Sequence, residues 1–270
     1  MKIYISADIE GVAGITAPEE CDAAHPDYRY FQEQMTLEVK AACEGATAAG
    51  ATAIYVKDAH WTGRNINPRL FPDCVRMIRG WTGHPFSMMA EIDATFAAAV
   101  MIGYHSRAGS AGNPLAHTMS SRVVNVMRIN DVPVSEFILN TFTATHCKVP
   151  VAFLSGDEAL CAEVRQYNEA VSTYATMKGV GNGTVSVHPG LAQREIRQGV
   201  ETALRRSDLQ QQIRPLPGRF KVEIDYVKPR EAYGKSFYPG AKLVADHTVG
   251  FESNDWLAAV TMINFCIKGI

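Results

Sequence analysis

Two carboxylates, Asp8 and Glu10, stand two residues apart in SADIEGVAG, directly after the apolar run that begins at Ile3. In an extended segment such residues point to the same side, so both acids face one spot beyond the strand's end. Like charges that close repel, and a cation would hold them together. The pattern recurs along the chain: Asp58 and His60 follow AIYVK, His105 follows AVMIGY, and Asp157 follows VAFLSG. Histidine and carboxylate at four strand ends form a candidate metal site, with donors that suit Zn²⁺ and also admit Mn²⁺ or Co²⁺. His117, in the polar loop LAHTMSS, is the residue type that general acid–base chemistry needs beside a metal. Glu136 falls near the start of a predicted helix, where an acid is welcome for the helix dipole alone.

These positions make sense only if the strands share one edge. IYIS is followed by a loop and by a helical stretch around YFQEQMTLEVKAACEGATAAG, whose apolar residues recur at helical spacing before Gly50. AIYVKDAH, CVRMIRG, AAAVMIGYH and VVNVMRIN read as further strands. A helix follows in VPVSEFILNTFTATH, then the strand VAFLSGD and a helix from about Glu158 to Ala170. Such alternation predicts an α/β fold, a layered and mostly parallel sheet flanked by helices, with short apolar strands buried on both faces. Ligands of such sheets bind beyond the carboxyl ends of the strands. From about Ser172 the reading is a strand, a helix (GLAQREIRQGVETALRR), a proline-bearing linker near IRPLPGRF, the strand KVEIDYV and a helix around NDWLAAVTMINFCI. The expected division is a metal-binding catalytic domain over residues 1–171 and a smaller α/β lobe over 172–270.

Composition narrows the partners. The 270 residues are 47% hydrophobic, enough for an ordinary core, and carry a formal net charge of -2. That balance provides no basic field for nucleic acid. An acid at position 8 comes too early for a secretory h-region, and no apolar stretch approaches the ~20 residues that cross a bilayer. The expectation is a cytoplasmic chain without membrane partners. The six cysteines lie scattered with no CxxC pair, so they read as buried reduced thiols. GNGTVSVHPG lacks the spacing of a phosphate loop, and no serine sits in a G-x-S-x-G elbow.

The segments DIEGVAG, KDAHW, PFSMM, GYHSRAG, LAHTMS, INDVPVSE and SGD, in this order and spacing through most of the first 160 residues, resemble the D-aminopeptidase family of M55 metallopeptidases. The resemblance implies a two-zinc site in which Asp8 bridges the ions and Glu10, His60, His105 and Glu136 complete the protein ligands. It turns Glu136 from a dipole partner into a ligand. It also implies that His117 is the catalytic residue, as nucleophile or as general acid–base, and it places Lys178, beside the turn GNGT, in a lysine-containing loop near the site.

The implied activity is zinc-dependent aminopeptidase action on short peptides with N-terminal D-amino acids, such as D-Ala-D-Ala, through a two-metal-activated water, in a ring-like homo-oligomer. A free substrate amino group would ligate one ion or pair with an acid such as Asp58 or Asp157. The alternatives are the same chemistry on L-peptides or other small amides, and a non-catalytic peptide- or metal-binding subunit of a transport system.

Overall fold

The computed structural model describes residues 1–267, and two sheets organise them. The first contains β1 (Lys2–Ala7), β2 (Ala53–Asp58), β3 (Val75–Ile78), β4 (Ala98–Tyr104), β7 (Val151–Asp157), β8 (Ser172–Val180) and β9 (Gly183–Ser186), in the order β3-β2-β1-β4-β7-β8-β9. Its pairs are parallel from β3 across to β8, and β9 returns as a hairpin. The central strands are buried on both faces, which is why KIYISA, AAVMIGY and VAFLSGD lack polar alternation. Ile3, Ile5, Val100 and Ile102 pack with α1 (Tyr28–Ala48) and α4 (Pro189–Leu204); Tyr4, Ala99, Met101 and Leu154 belong to the core of the opposite face. That opposite core also holds α2 (Glu136–His146), α3 (Glu158–Tyr167) and α6 (Trp256–Ile267).

The second sheet is antiparallel, in the order β11-β12-β10-β5-β6, from β5 (Val124–Ile129), β6 (Val132–Pro133), β10 (Phe220–Tyr226), β11 (Lys242–Ala245) and β12 (Thr248–Ser253). Asn130 and Asp131, both at positive φ, make the tight turn between β5 and β6. The two sheets do not part at residue 171. β8, β9 and α4 belong with the first sheet, whereas β5 and β6, from the expected catalytic domain, pair with β10. Sheet membership follows pairing partners distant in sequence, which local patterning does not encode. The short α5 (Pro229–Lys235) and the exposed β11 add two elements that apolar periodicity does not announce. No described helix is long and apolar enough to cross a membrane.

The chain lays β2 and β3 to one side of β1 and β4 to the other. The sheet therefore has its switch point between β1 and β4, where the connections part and leave a crevice. Close packing of the loops there depends on glycine. A Cβ on Gly11 would collide with the Tyr104 carbonyl, and Gly103, at φ +70°, lies equally tight against the carbonyl of Asp8. These contacts seat DIEGVAG against the end of β4.

Candidate metal centre

Four residues at strand ends, one from a loop and one from the start of α2 meet in this crevice. Asp8 leaves β1 only 1% exposed and accepts the Ile9 amide on Oδ1 at 2.7 Å. Its Oδ1 also lies 3.2 Å from Nδ1 of His60, while Oδ2 lies 3.6 Å from Nε2 of His105. Glu10 Oε2 is 3.1 Å from His60 Nδ1 and 3.7 Å from His105 Nε2. Glu136, the first residue of α2, brings Oε2 to 3.7 Å from the same Nε2, and its Oε1 accepts the Met119 amide at 2.7 Å. His117 stacks on His105 with ring centroids 4.4 Å apart, its Nε2 3.8 Å from Glu136 Oε1. The expected cluster of Asp8, Glu10, His60, His105, His117 and Glu136 is thus assembled in one place.

Ring tautomers can be assigned from the partners. His105 Nδ1 donates to the Ser106 carbonyl at 2.9 Å and His117 Nδ1 to the Leu115 carbonyl at 2.8 Å, so in each neutral ring Nε2 carries the lone pair. His105 Nε2 and His60 Nε2 are buried and have no hydrogen-bond partner. The 3.6 and 3.7 Å separations around His105 Nε2 are too long for hydrogen bonds. They are close to the roughly 3.4 Å that separates two donors on one tetrahedral ion with bonds of ~2.1 Å. The donor set and its spacing fit a divalent cation.

Electrostatics point the same way. Burial, followed by Glu10, pushes the Asp8 carboxyl up to about 6. Burial would raise Glu10 as well, but His60, His117 and His105 outweigh it and hold that carboxyl well below the carboxylate range. Burial opposes charge on His105, yet Glu136, Glu10 and Asp8 raise it to about 9, and His60 is raised well above its ordinary value against the same penalty, by Glu10 foremost. The acids favour positive charge at this spot.

Asp58 and Asp157, two of the expected substrate contacts, are hydrogen-bonded within the protein, and the third, Lys178, lies at the surface. Asp58 is buried and accepts the amides of Asn65 (2.5 Å) and Ile66 (2.8 Å) and the Asn65 side chain (2.8 Å). Asn65 in turn donates to the His60 carbonyl at 2.8 Å, so Asp58 closes the loop that presents His60. Asp157 accepts the Ser106 amide and hydroxyl, both at 2.6 Å, and caps α3 through the Leu160 amide. It thereby anchors the residue after His105. Both acids follow a strand like the others, but backbone donors at the loop bases claim them. Lys178 is 67% exposed at its side chain and lies 4.0 Å from Glu158. Two neighbours of the centre carry no sequence motif. Asn113 donates to the Glu10 carbonyl at 2.9 Å, and the Cys21 sulfur approaches Glu10 and His60.

A parallel α/β sheet with three carboxylates and three histidines at its switch point has the donors of a metal-dependent hydrolase. The chain belongs to the M55 peptidase family, described as D-aminopeptidase, whose sequence profile matches residues 1–265. A D-aminopeptidase of Bacillus subtilis (strain 168) is 30% identical over 262 residues, 96% of this chain and 94% of that one. A solved structure, the Zn-dependent D-aminopeptidase DppA from Bacillus subtilis, a self-compartmentalizing protease, superposes with a TM-score of 0.89 at 27% identity. It covers 100% of this chain and 99% of its own.

Proposed function

We propose that the chain is a zinc-dependent aminopeptidase that removes N-terminal D-amino acids from short peptides such as D-Ala-D-Ala. Two ions are held by Asp8, Glu10, His60, His105 and Glu136, and His117 moves the proton. The observation that carries this reading is the surroundings of His105 Nε2, a buried lone pair ringed by oxygens of three acids at ion-sharing distances. Asp8 suits the bridging role because its two oxygens look toward different histidines. Family membership and the zinc dependence of the structural relative support the metal and the D-peptide substrate.

Ions bound there supply a polarised carbonyl and a water acidic enough to attack near neutral pH. The remaining work falls to side chains. The Leu115 carbonyl fixes the His117 tautomer, leaving Nε2 free to accept a proton from the nucleophile and return it to the leaving amine. Stacking on His105 and the nearby Glu136 carboxylate orient that ring. With Asp58 and Asp157 committed to backbone, recognition of the substrate's amino group falls to the centre itself.

A ring-like homo-oligomer is part of the proposal. It is supported by the self-compartmentalizing relative and by exposed aromatics on the second-sheet side, Tyr233, Phe237 and Phe265, the second of them 71% exposed.

Equilibrium dialysis against zinc, with hydrolysis of D-Ala-D-Ala and its N-acetylated form, tests the reading. Two ions per chain and cleavage of the free dipeptide alone are expected. A single ion contradicts the bridged site, and cleavage of the blocked peptide contradicts aminopeptidase action.

A further inference from the structure

Cys21 has no role in the chemistry above, yet it stands at the rim of the same cluster. It ends the 3-10 turn Pro18–Cys21, which Glu20 pins by accepting the amides of Thr16 and Ala17 at 2.6 and 2.9 Å. Its side chain is buried, and its contact with the Ala17 carbonyl is a long one, 3.9 Å. A buried thiol ordinarily lies among apolar groups. This one belongs to the apolar core of the α1 face and also has its sulfur, a Glu10 carboxylate oxygen and a His60 ring nitrogen all within 4.8 Å of one another.

The second observation concerns His60. Its Nδ1 is turned to Asp8 and Glu10, while its Nε2 is buried without a partner and its side chain is only 8% exposed. The ring therefore offers more donor capacity than the acids use. Oxygen, nitrogen and sulfur donors converge on this flank.

We propose that Cys21 is a sulfur ligand of the ion held by Glu10 and His60, giving that ion a mixed oxygen, nitrogen and sulfur shell. The assignment rests on the metallopeptidase reading and adds a sulfur donor to it. When the ion binds, the S–H bond breaks, the proton leaves to solvent and the sulfur lone pair becomes the metal bond. A zinc–sulfur bond of ~2.3 Å and nitrogen or oxygen bonds of ~2.1 Å put such donors roughly 3.6 Å apart. Drawing the sulfur in from 4.8 Å or less takes a side-chain adjustment of about 1 Å. A thiolate makes this half of the centre softer, so it selects Zn²⁺ and Cd²⁺ over Mn²⁺.

Cobalt is the probe. Co²⁺-loaded full-length protein is expected to show the visible ligand-field bands of bound cobalt and, in addition, a near-ultraviolet thiolate-to-cobalt charge-transfer band. Cys21→Ser and Cys21→Ala should retain the first and lose the second, and their preference for Cd²⁺ over Mn²⁺ should fall about tenfold or more. Ligand-field bands without a charge-transfer band in the unmodified protein overturn the sulfur assignment while leaving the metal centre intact. That spectrum needs no variant, so misfolding cannot mask it. A charge-transfer band that persists in both variants also overturns the assignment, and failure to bind cobalt overturns the metallopeptidase reading together with it.

Discussion

Asp8 and His117 face the same small space, and the different roles proposed for them can be separated by substitution. Asp8→Ala removes the carboxylate that addresses both His60 and His105. It is expected to lose both ions and at least ~10³-fold in activity, because the remaining acids and histidines are left buried without their common cation. His117→Ala should keep both ions and lose about 10²- to 10⁴-fold in turnover, the range of a general acid–base. Metal analysis of the two purified variants decides, and equal zinc loss in both would contradict this division of labour. The cluster was largely legible in sequence because D-x-E and the strand-end histidines follow a spacing that one sheet edge explains. Glu136 was legible only through family resemblance, since a helix N-terminus welcomes any acid. Asn113 and Cys21 left no signal: their place depends on loop paths that cross the sheet's end.

At the scale of elements, the loops are held by buried carboxylates that accept their backbone amides. Asp58→Asn exchanges an acceptor of three hydrogen bonds for an amide that can repeat only some of them. Zinc affinity should fall about 10- to 100-fold through the slackened His60 loop, with little change in KM once the protein is saturated. Unchanged zinc affinity with a raised KM would instead return Asp58 to the substrate. Helix α1 carries another buried acid. Glu38 accepts the Ala13 amide from the loop beyond Glu10 and the Gln34 side chain, both at 2.8 Å, and its Oε2 has no partner.

Burial pushes Glu38 up to about 7 from 4.5, only partly offset by those two hydrogen bonds. The folded chain therefore holds a proton that the unfolded chain has released, and stability falls as pH rises from about 4.5 through about 7, by on the order of 3 kcal/mol. Glu38→Gln should remove that slope, so thermal melts of variant and parent should diverge between about pH 4.5 and pH 7 in favour of the variant and stay apart above it. Parallel pH profiles would contradict the buried-proton account. Sequence showed the apolar strands and long helices because their apolar runs are distinctive, and missed the short β6, β9, β11 and β12, which lack such runs. It did not show which sheet each strand joins, because VVNVMRIN reads the same whether it pairs with β4 or, as found, with β10.

For the whole molecule, cation binding and folding are linked. Ions that bind the folded cluster and not the unfolded chain stabilise it by about 2.7 kcal/mol per site at a hundredfold excess over Kd. Zinc should raise the melting temperature by several degrees and a chelator should reverse the gain. The scattered donors meet only because β1, β2 and β4 lie side by side at the switch point, so a partly unfolded chain should show no such affinity. The most direct test of the central claim is amino-acid release from D-Ala-D-Ala and from L-Ala-L-Ala by the zinc-loaded protein, each with and without chelator. Chelator-sensitive release from the D-isomer alone is the predicted result; release from the L-isomer alone, or release that a chelator leaves untouched, would contradict it.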